Sequence, residues 1–252
     1  GPKGFITHIG DGNRKDIRNA VEAAHKAGNW SKTSGHLKAQ ILYYLAENLD
    51  KRGSEFIENI ILSTGVKKEV AQKEVETSIS RLFYYAAWAD KFDGAVHDVP
   101  IRGVTLAMNE PLGVVGVICP EENPLLGLVS LAAPLIAMGN TCVLIPSASS
   151  PNIAANFYQV LDTSDVPAGV LNIITGEEEA FVKTLSEHHD IAAIWYFGAG
   201  NNSGEIERFS TASLKRTWVN NNKTRDWHCN GQGKEFLNNA TDVKNIWIPY
   251  GE

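Results

Sequence analysis

Residues 113–145 read GVVGVICPEENPLLGLVSLAAPLIAMGNTCVLI, and this stretch decides the fold. Val114 to Ile118 is too short for a helix and apolar at nearly every position, so a strand there must be covered on both faces. Leu125 to Met138 is apolar around its whole circumference over a helical length, and Gly139-Asn140 stops it before a second apolar run, Thr141 to Leu144. Strand, helix, strand is the unit of a parallel sheet, because the crossover needs the reach that a helix supplies. Toward the C-terminus the unit repeats. A helix near Asn152 to Leu161 precedes a strand at Val170 to Ile174, and a helix near Glu179 to Ser186 precedes strands at Ile191 to Phe197 and Arg216 to Val219. The expected fold class is α/β, with a doubly wound, Rossmann-like parallel sheet covered on both faces.

Toward the N-terminus the spacing changes. Ile17, Val21 and Ala24, then Ile41, Leu42, Leu45 and Leu49, recur at helical intervals, with Asn13 and Asp16 as a start and Gly28 as a stop for the first helix. A third helix is expected from Ser54 to Gly65, with Phe56, Ile57, Ile60 and Ile61 inward, and a fourth carries Val75, Ile79, Leu82, Phe83 and Ala86. Between these helices and the sheet, period-two runs at Val96 to Pro100 and Val104 to Met108, joined across Gly103, predict a β-hairpin. Past the polar stretch Asn220 to Asp226, one more strand is expected at Val243 to Ile248. The division that follows is N-terminal helices and hairpin over 1–110, a Rossmann-like domain over 111–222, and a linker with a C-terminal strand over 223–252.

Bulk properties narrow the function classes. A net charge of -6 and a pI near 5.7 provide no basic footprint for phosphate backbones or anionic lipid, so neither nucleic acid nor membrane is an expected partner. No apolar run is long enough to span a bilayer. Cys119, Cys142 and Cys229 are too few and scattered for a disulfide framework, which favours a reducing compartment and a cytoplasmic location. His188-His189 and His228-Cys229 are adjacent pairs rather than ligands at helical spacing, and no metal site is expected. Glu177-Glu178-Glu179 reads as an acidic first turn of a helix, and Tyr84, Tyr85 and Trp88 as core or interface aromatics.

Three segments resemble the aldehyde dehydrogenase superfamily in order and spacing: Glu110 to Ile118, Ala133-Pro134 through Gly139-Asn140-Thr141, and Gly169-Val170-Leu171-Asn172 through Thr175-Gly176. Leu214-Lys215-Arg216 fits the segment before that family's Glu-Leu-Gly-Gly-Lys motif. Gly233 to Phe236 with Thr241 to Lys244 resembles its C-terminal oligomerisation strand. The chain is most similar to the truncated, non-catalytic second module of the two-module aldehyde dehydrogenases called family sixteen. That resemblance implies a family scaffold without the family's catalytic domain, because only a few residues separate Lys223 from Gly231.

Position by position, the resemblance also implies lost chemistry. Glu122 stands where the family has an oxyanion-stabilising asparagine, and a carboxylate repels an oxyanion rather than donating to it. Asn123 falls one residue late. Asn220, with Asn221 and Asn222, stands near the family's general-base glutamate, and an amide takes no proton. Ile145 and Ala148 replace the Lys and Glu that grip the adenosine ribose, and Gly198-Ala199-Gly200 scrambles the glycine turn that approaches the pyrophosphate, although Gly204 keeps its frame. Catalytic residues and cofactor are therefore expected to be absent.

Three functions remain open. The first is a pseudoenzyme module for assembly or protein interaction, docking through the hairpin and C-terminal strand on a full aldehyde dehydrogenase module or on a second copy. The second is weak NAD binding without chemistry. The third is residual dehydrogenase or esterase activity, within a larger enzyme, in which Cys229 or a partner's cysteine serves as nucleophile, although His228 beside Cys229 in sequence supplies no positioned base.

Overall fold

The computed structural model describes residues 1–2 and 4–250. Its N-terminal half is a helical layer. Helix α1 (Arg14–Lys26) starts at a capping box in which Asn13 and Asp16 satisfy each other's end of the chain, as the sequence suggests. It ends at Ala27, and Gly28 lies inside a short 3-10 turn, Ala27–Lys32, that carries the chain onward instead of stopping it. Helices α2 (Gly35–Lys51), α3 (Gly53–Thr64) and α4 (Lys68–Trp88) follow, and Leu42, Leu45, Leu49, Phe56, Ile60, Val75 and Leu82 are buried between them.

The hairpin forms from β1 (Ala95–His97) and β2 (Gly103–Pro111), paired antiparallel with Val96 opposite Leu106. The α/β units come next: β3 (Val114–Ile118), α5 (Pro124–Ala137), β4 (Thr141–Ile145), α6 (Pro151–Asp162), β5 (Leu171–Ile173), α7 (Glu178–Glu187), β6 (Ala193–Tyr196), α8 (Ser203–Ser210) and β7 (Arg216–Val219). Their five strands are parallel in the order β5-β4-β3-β6-β7. The chain leaves β3 toward β4 on one side and returns to β6 on the other, which opens a crevice at the carboxyl ends of β3 and β6.

Strand alternation shows the double winding directly. Val115, Val117, Cys142, Leu144, Ala193 and Trp195 face one core, shared with α5, α6 and the N-terminal helices. Val114, Ile118, Val143, Ile145, Ile194 and Tyr196 face a second core built by α1, α7 and α8. Every residue of α5 is buried, because this helix lies between the sheet and α4.

After β7 come α9 (Trp227–Asn230), α10 (Lys234–Asn239) and β8 (Thr241–Pro249). The sequence offers a polar connection over Asn220 to Asp226 and, by resemblance, a strand that includes Gly233 to Phe236; the structure instead places Lys234–Asn239 in a helix, and Trp227, Phe236 and Leu237 are buried in the first core. Arg81 of α4, 1% exposed, holds the stretch down by donating to the carbonyls of Trp227 and His228, to Gln232 Oε1 and to Ser130 Oγ. Arg225 lies over the rings of Phe197, Trp218 and Phe236 and forms a forked pair with Glu235. Strand β8 pairs antiparallel with β2 along nine residues, completing a separate three-stranded sheet in the order β1-β2-β8.

Candidate functional site

The crevice at the carboxyl ends of the parallel strands is where an open α/β sheet offers backbone donors to a ligand. Four turns border it here: Cys119 to Asn123 after β3, Pro146 to Ser150 after β4, Phe197 to Asn202 after β6, and the asparagines after β7. A shallow cavity of about 460 Å³ at this edge is lined by Glu121, Ala148, Ser149, Glu177, Glu178, Glu179, Ala199 and Gly200.

Its donors are taken by two carboxylates of the chain itself. Glu121 accepts from the amides of Ala148 (2.8 Å) and Ser149 (3.0 Å) and from Ser147 Oγ (2.7 Å). Burial raises the Glu121 pKa, but the donors clustered on it win and hold it below the ordinary carboxylate value. Glu178 Oε1 accepts from the Gly200 amide, Asn202 Nδ2 and Tyr196 Oη, each at 2.9 Å. Its pKa is pushed up, by burial first and by neighbouring Glu179 next, against the pull of those three donors. The Tyr196 phenol is likewise pushed up by burial and by the Glu178 charge beside it.

The structure brings only some of the sequence-derived positions together. Ile145 is buried at the end of β4, and Ala148, Ala199 and Gly200 lie at the crevice. Gly198 is buried beneath them, and Gly204 sits in the first turn of α8 with open space around it. Glu122 points to solvent. Asn123, in the left-handed backbone region at φ 51°, spends its side chain on Glu74, which also accepts the amides of Leu125 and Leu126 at the start of α5. Asn220 donates to the Gly198 carbonyl and accepts from Ser203 Oγ and the Asn222 amide, so it ties the β6 and β7 turns together.

Glu121 and Glu178 are the residues that the sequence reading missed. Glu178 does lie in the acidic first turn of α7, but its carboxylate is turned across to the β6 turn rather than left at its own helix end. The signal that could have found it is the pairing of an acidic β5–α7 turn with a glycine-rich β6 turn, since such turns neighbour one another across the crevice.

The thiols offer no nucleophile with an activating neighbour. Cys119 and Cys142 are buried, and burial pushes both thiols up. Cys229 is exposed, and its bond to the Asp226 carboxylate raises its pKa further, opposite to the direction a reactive thiolate needs. His228 Nδ1 is 3.3 Å from Thr77 Oγ1. No group of three or more metal-ligating side chains occurs among the described residues, and no described helix is long and apolar enough to cross a membrane.

Comparison with known proteins places this geometry in context. The model of the aldehyde dehydrogenase family matches residues 3–221. The chain is 35% identical over 200 residues to an aldehyde dehydrogenase of Agaricus bisporus, covering 77% of this chain and 40% of that protein. It is 32% identical over 192 residues to human cytosolic 10-formyltetrahydrofolate dehydrogenase, covering 73% and 21% respectively. Betaine aldehyde dehydrogenase of Bacillus subtilis is 30% identical over 215 residues, covering 84% and 44%. The chain thus spans less than half the length of each of these relatives. Among solved structures, PnpE from Pseudomonas sp. WBC-3 superposes with a TM-score of 0.82 at 27% identity, over 86% of this chain and 45% of that one. Betaine aldehyde dehydrogenase from Staphylococcus aureus in complex with NAD+ superposes with a TM-score of 0.81 at 24% identity, over 86% and 44%, a likeness of fold alone.

Proposed function

The chain belongs to the aldehyde dehydrogenase family, and from that premise we propose that it is a non-catalytic module of the family, a pseudoenzyme that serves oligomer assembly. One observation carries the reading. The three-stranded sheet presents an apolar face to solvent: Val96, Val104, Leu106, Met108, Ile246 and Ile248 share it by register, and Val96, Met108 and Ile248 are 72%, 45% and 49% exposed. Beside that face, β8 leaves its outer edge unpaired along nine residues. An apolar face next to an open edge is what a sheet-extending partner covers, and without one it invites aggregation. The proposed occupant is an aldehyde dehydrogenase module or a second copy of this chain, whose own β8 edge can extend the sheet.

The site chemistry favours the same reading. By resemblance, Glu122 stands at the family's oxyanion-donor position and Asn220 to Asn222 near its general-base position, and the exposed thiol, Cys229, is bonded to an acid. The residues present do not fit a dinucleotide: the amides of Ala148, Ser149 and Gly200 are spent on Glu121 and Glu178, and Glu177 and Glu179 add negative charge where phosphates would lie. Three free cysteines fit a reducing compartment, and we place the module in the cytoplasm.

The test is size-exclusion chromatography with light scattering, on the chain alone and mixed with a catalytic aldehyde dehydrogenase module. A homo-oligomer in the first run or a mixed complex in the second is expected. A monomer in both, or NAD-dependent aldehyde oxidation by the purified chain, contradicts the reading.

A further inference from the structure

The glycine turn after β6 carries a second message. Gly198 and Gly200 have ordinary backbone angles, so neither is needed for a left-handed turn. What requires them is space: a Cβ on Gly198 would fall on Glu178 Oε2, and one on Gly200 would fall on Glu178 Oε1. The turn is thus a cradle fitted to a carboxylate, with one backbone amide and one side-chain amide aimed at a single oxygen and the Tyr196 phenol shared between that oxygen and the Gly200 carbonyl.

We propose that Glu178 is an internal ligand: its carboxylate occupies the anion cradle of the 196–202 turn and holds the crevice shut against the phosphates of a dinucleotide. This rests on the reading that the module works without NAD, and it names the group that enforces it. Glu121 does the same at the neighbouring β4 turn, so both donor sets of the crevice are satisfied within the chain. Removing the Glu178 carboxylate leaves the Gly200 and Asn202 amides facing a gap of carboxylate size, while Tyr196 keeps the Gly200 carbonyl, and a small carboxylate from solution can enter that gap.

Three measurements test the idea together. Glu178→Ala is expected to melt roughly 5 °C lower than the unaltered chain, and 0.1 to 0.2 M formate, as a probe, is expected to recover at least half of that loss while leaving the unaltered chain where it was. Gly200→Ala is expected to lower the melting temperature more in the unaltered chain than in Glu178→Ala, because the methyl group then meets Asn202 Nδ2 but no carboxylate. If Glu178→Ala does not fold, Glu178→Gln keeps the shape without the charge, and the Tyr196 phenol is expected to titrate lower in it by ultraviolet difference spectroscopy. Equal formate effects in both proteins, additive Gly200 and Glu178 substitutions, or an unmoved Tyr196 titration would overturn the internal ligand. A parallel calorimetric titration with NAD separates the two readings. Micromolar binding by the unaltered chain removes the cofactor-free reading and this inference with it; absent binding with no formate rescue removes the internal ligand alone.

Discussion

The two sheets of this molecule are built on opposite terms. The five-stranded sheet is covered on both faces, its strand ends meet internal carboxylates, and its aromatic rim of Phe197, Trp218 and Phe236 is closed by Arg225. The three-stranded sheet has an uncovered apolar face and an unpaired edge, and Trp247 on its other face is 58% exposed. One region covers its apolar faces and occupies its strand-end donors within the chain, and the other leaves a face and an edge open. The contrast teaches where a partner is to be sought: at the crevice the backbone donors meet carboxylates of the chain itself, whereas along β8 the outer edge carries no strand among the described residues.

If that contrast is right, substitutions in the two regions report on different quantities. The largest effect is expected where the 227–240 stretch locks onto the core. Trp227→Ala, with its ring 1% exposed, should cost about 3–5 kcal/mol in urea unfolding from cavity formation. Arg81→Ala should cost about 2–4 kcal/mol, since it strands the Trp227 and His228 carbonyls and Ser130. Neither needs a partner to show itself. A loss below 1 kcal/mol in both would mean that the stretch is loosely attached and would blur the comparison.

Leu106→Lys and Ile246→Lys, on the apolar face, should do the reverse. Stability of the isolated chain should move by less than about 1 kcal/mol, while assembly weakens at least tenfold, about 1.4 kcal/mol, as read by concentration-dependent light scattering. Unchanged assembly would remove the face from the interface.

A smaller and more specific effect concerns the polar groups inside the α/β body. Burial lowers the Lys215 ammonium to about 8 as it donates to the carbonyls of His188 and Leu185. Between pH 8 and the unfolded value of 10.5 the unfolded chain holds a proton that the folded chain has released. Stability from this group therefore rises with pH, by at most about 1.4 kcal/mol per pH unit. Chemical unfolding across that window should show the unaltered chain gaining on Lys215→Met, and a constant difference would contradict the burial argument. The smallest effect is expected at Cys229→Ala, within about 0.5 kcal/mol of the unaltered chain and without loss of any esterase activity, because Asp226 holds that thiol protonated.

Much of the covered region was legible in the sequence. The run from Val114 to Ile118 matches β3 residue for residue, and Leu125 to Met138 and Thr141 to Leu144 lie within a residue of α5 and β4, because continuous apolar strands and an all-round apolar helix admit few other arrangements. The hairpin was visible through period two, although β1 ends at His97 and Gly103 opens β2 instead of joining the strands, and the last strand was visible as an apolar run. Helices α8, α9 and α10 were not picked out. They are four to eight residues long, too short for a helical period, and Trp227 and Phe236 look like isolated aromatics in a polar stretch until Arg81 and the core give them a setting. At the crevice, Glu122, Ile145, Ala148 and Asn220 could be singled out by resemblance. The carboxylates that hold the turns could not, because Glu121 and Glu178 act across turns 26 to 28 and 18 to 24 residues away, and single-sequence patterns carry no such distances.

Amide hydrogen exchange along Val243 to Pro249 tests the assembly claim at the atoms involved, comparing the dilute chain with the chain at high concentration and with a catalytic aldehyde dehydrogenase module added. Outward-facing amides of β8 should exchange fast when dilute and slow by at least tenfold in one of the other two conditions, with β3 and β4 protected throughout. Fast exchange of those amides in every condition would contradict the account.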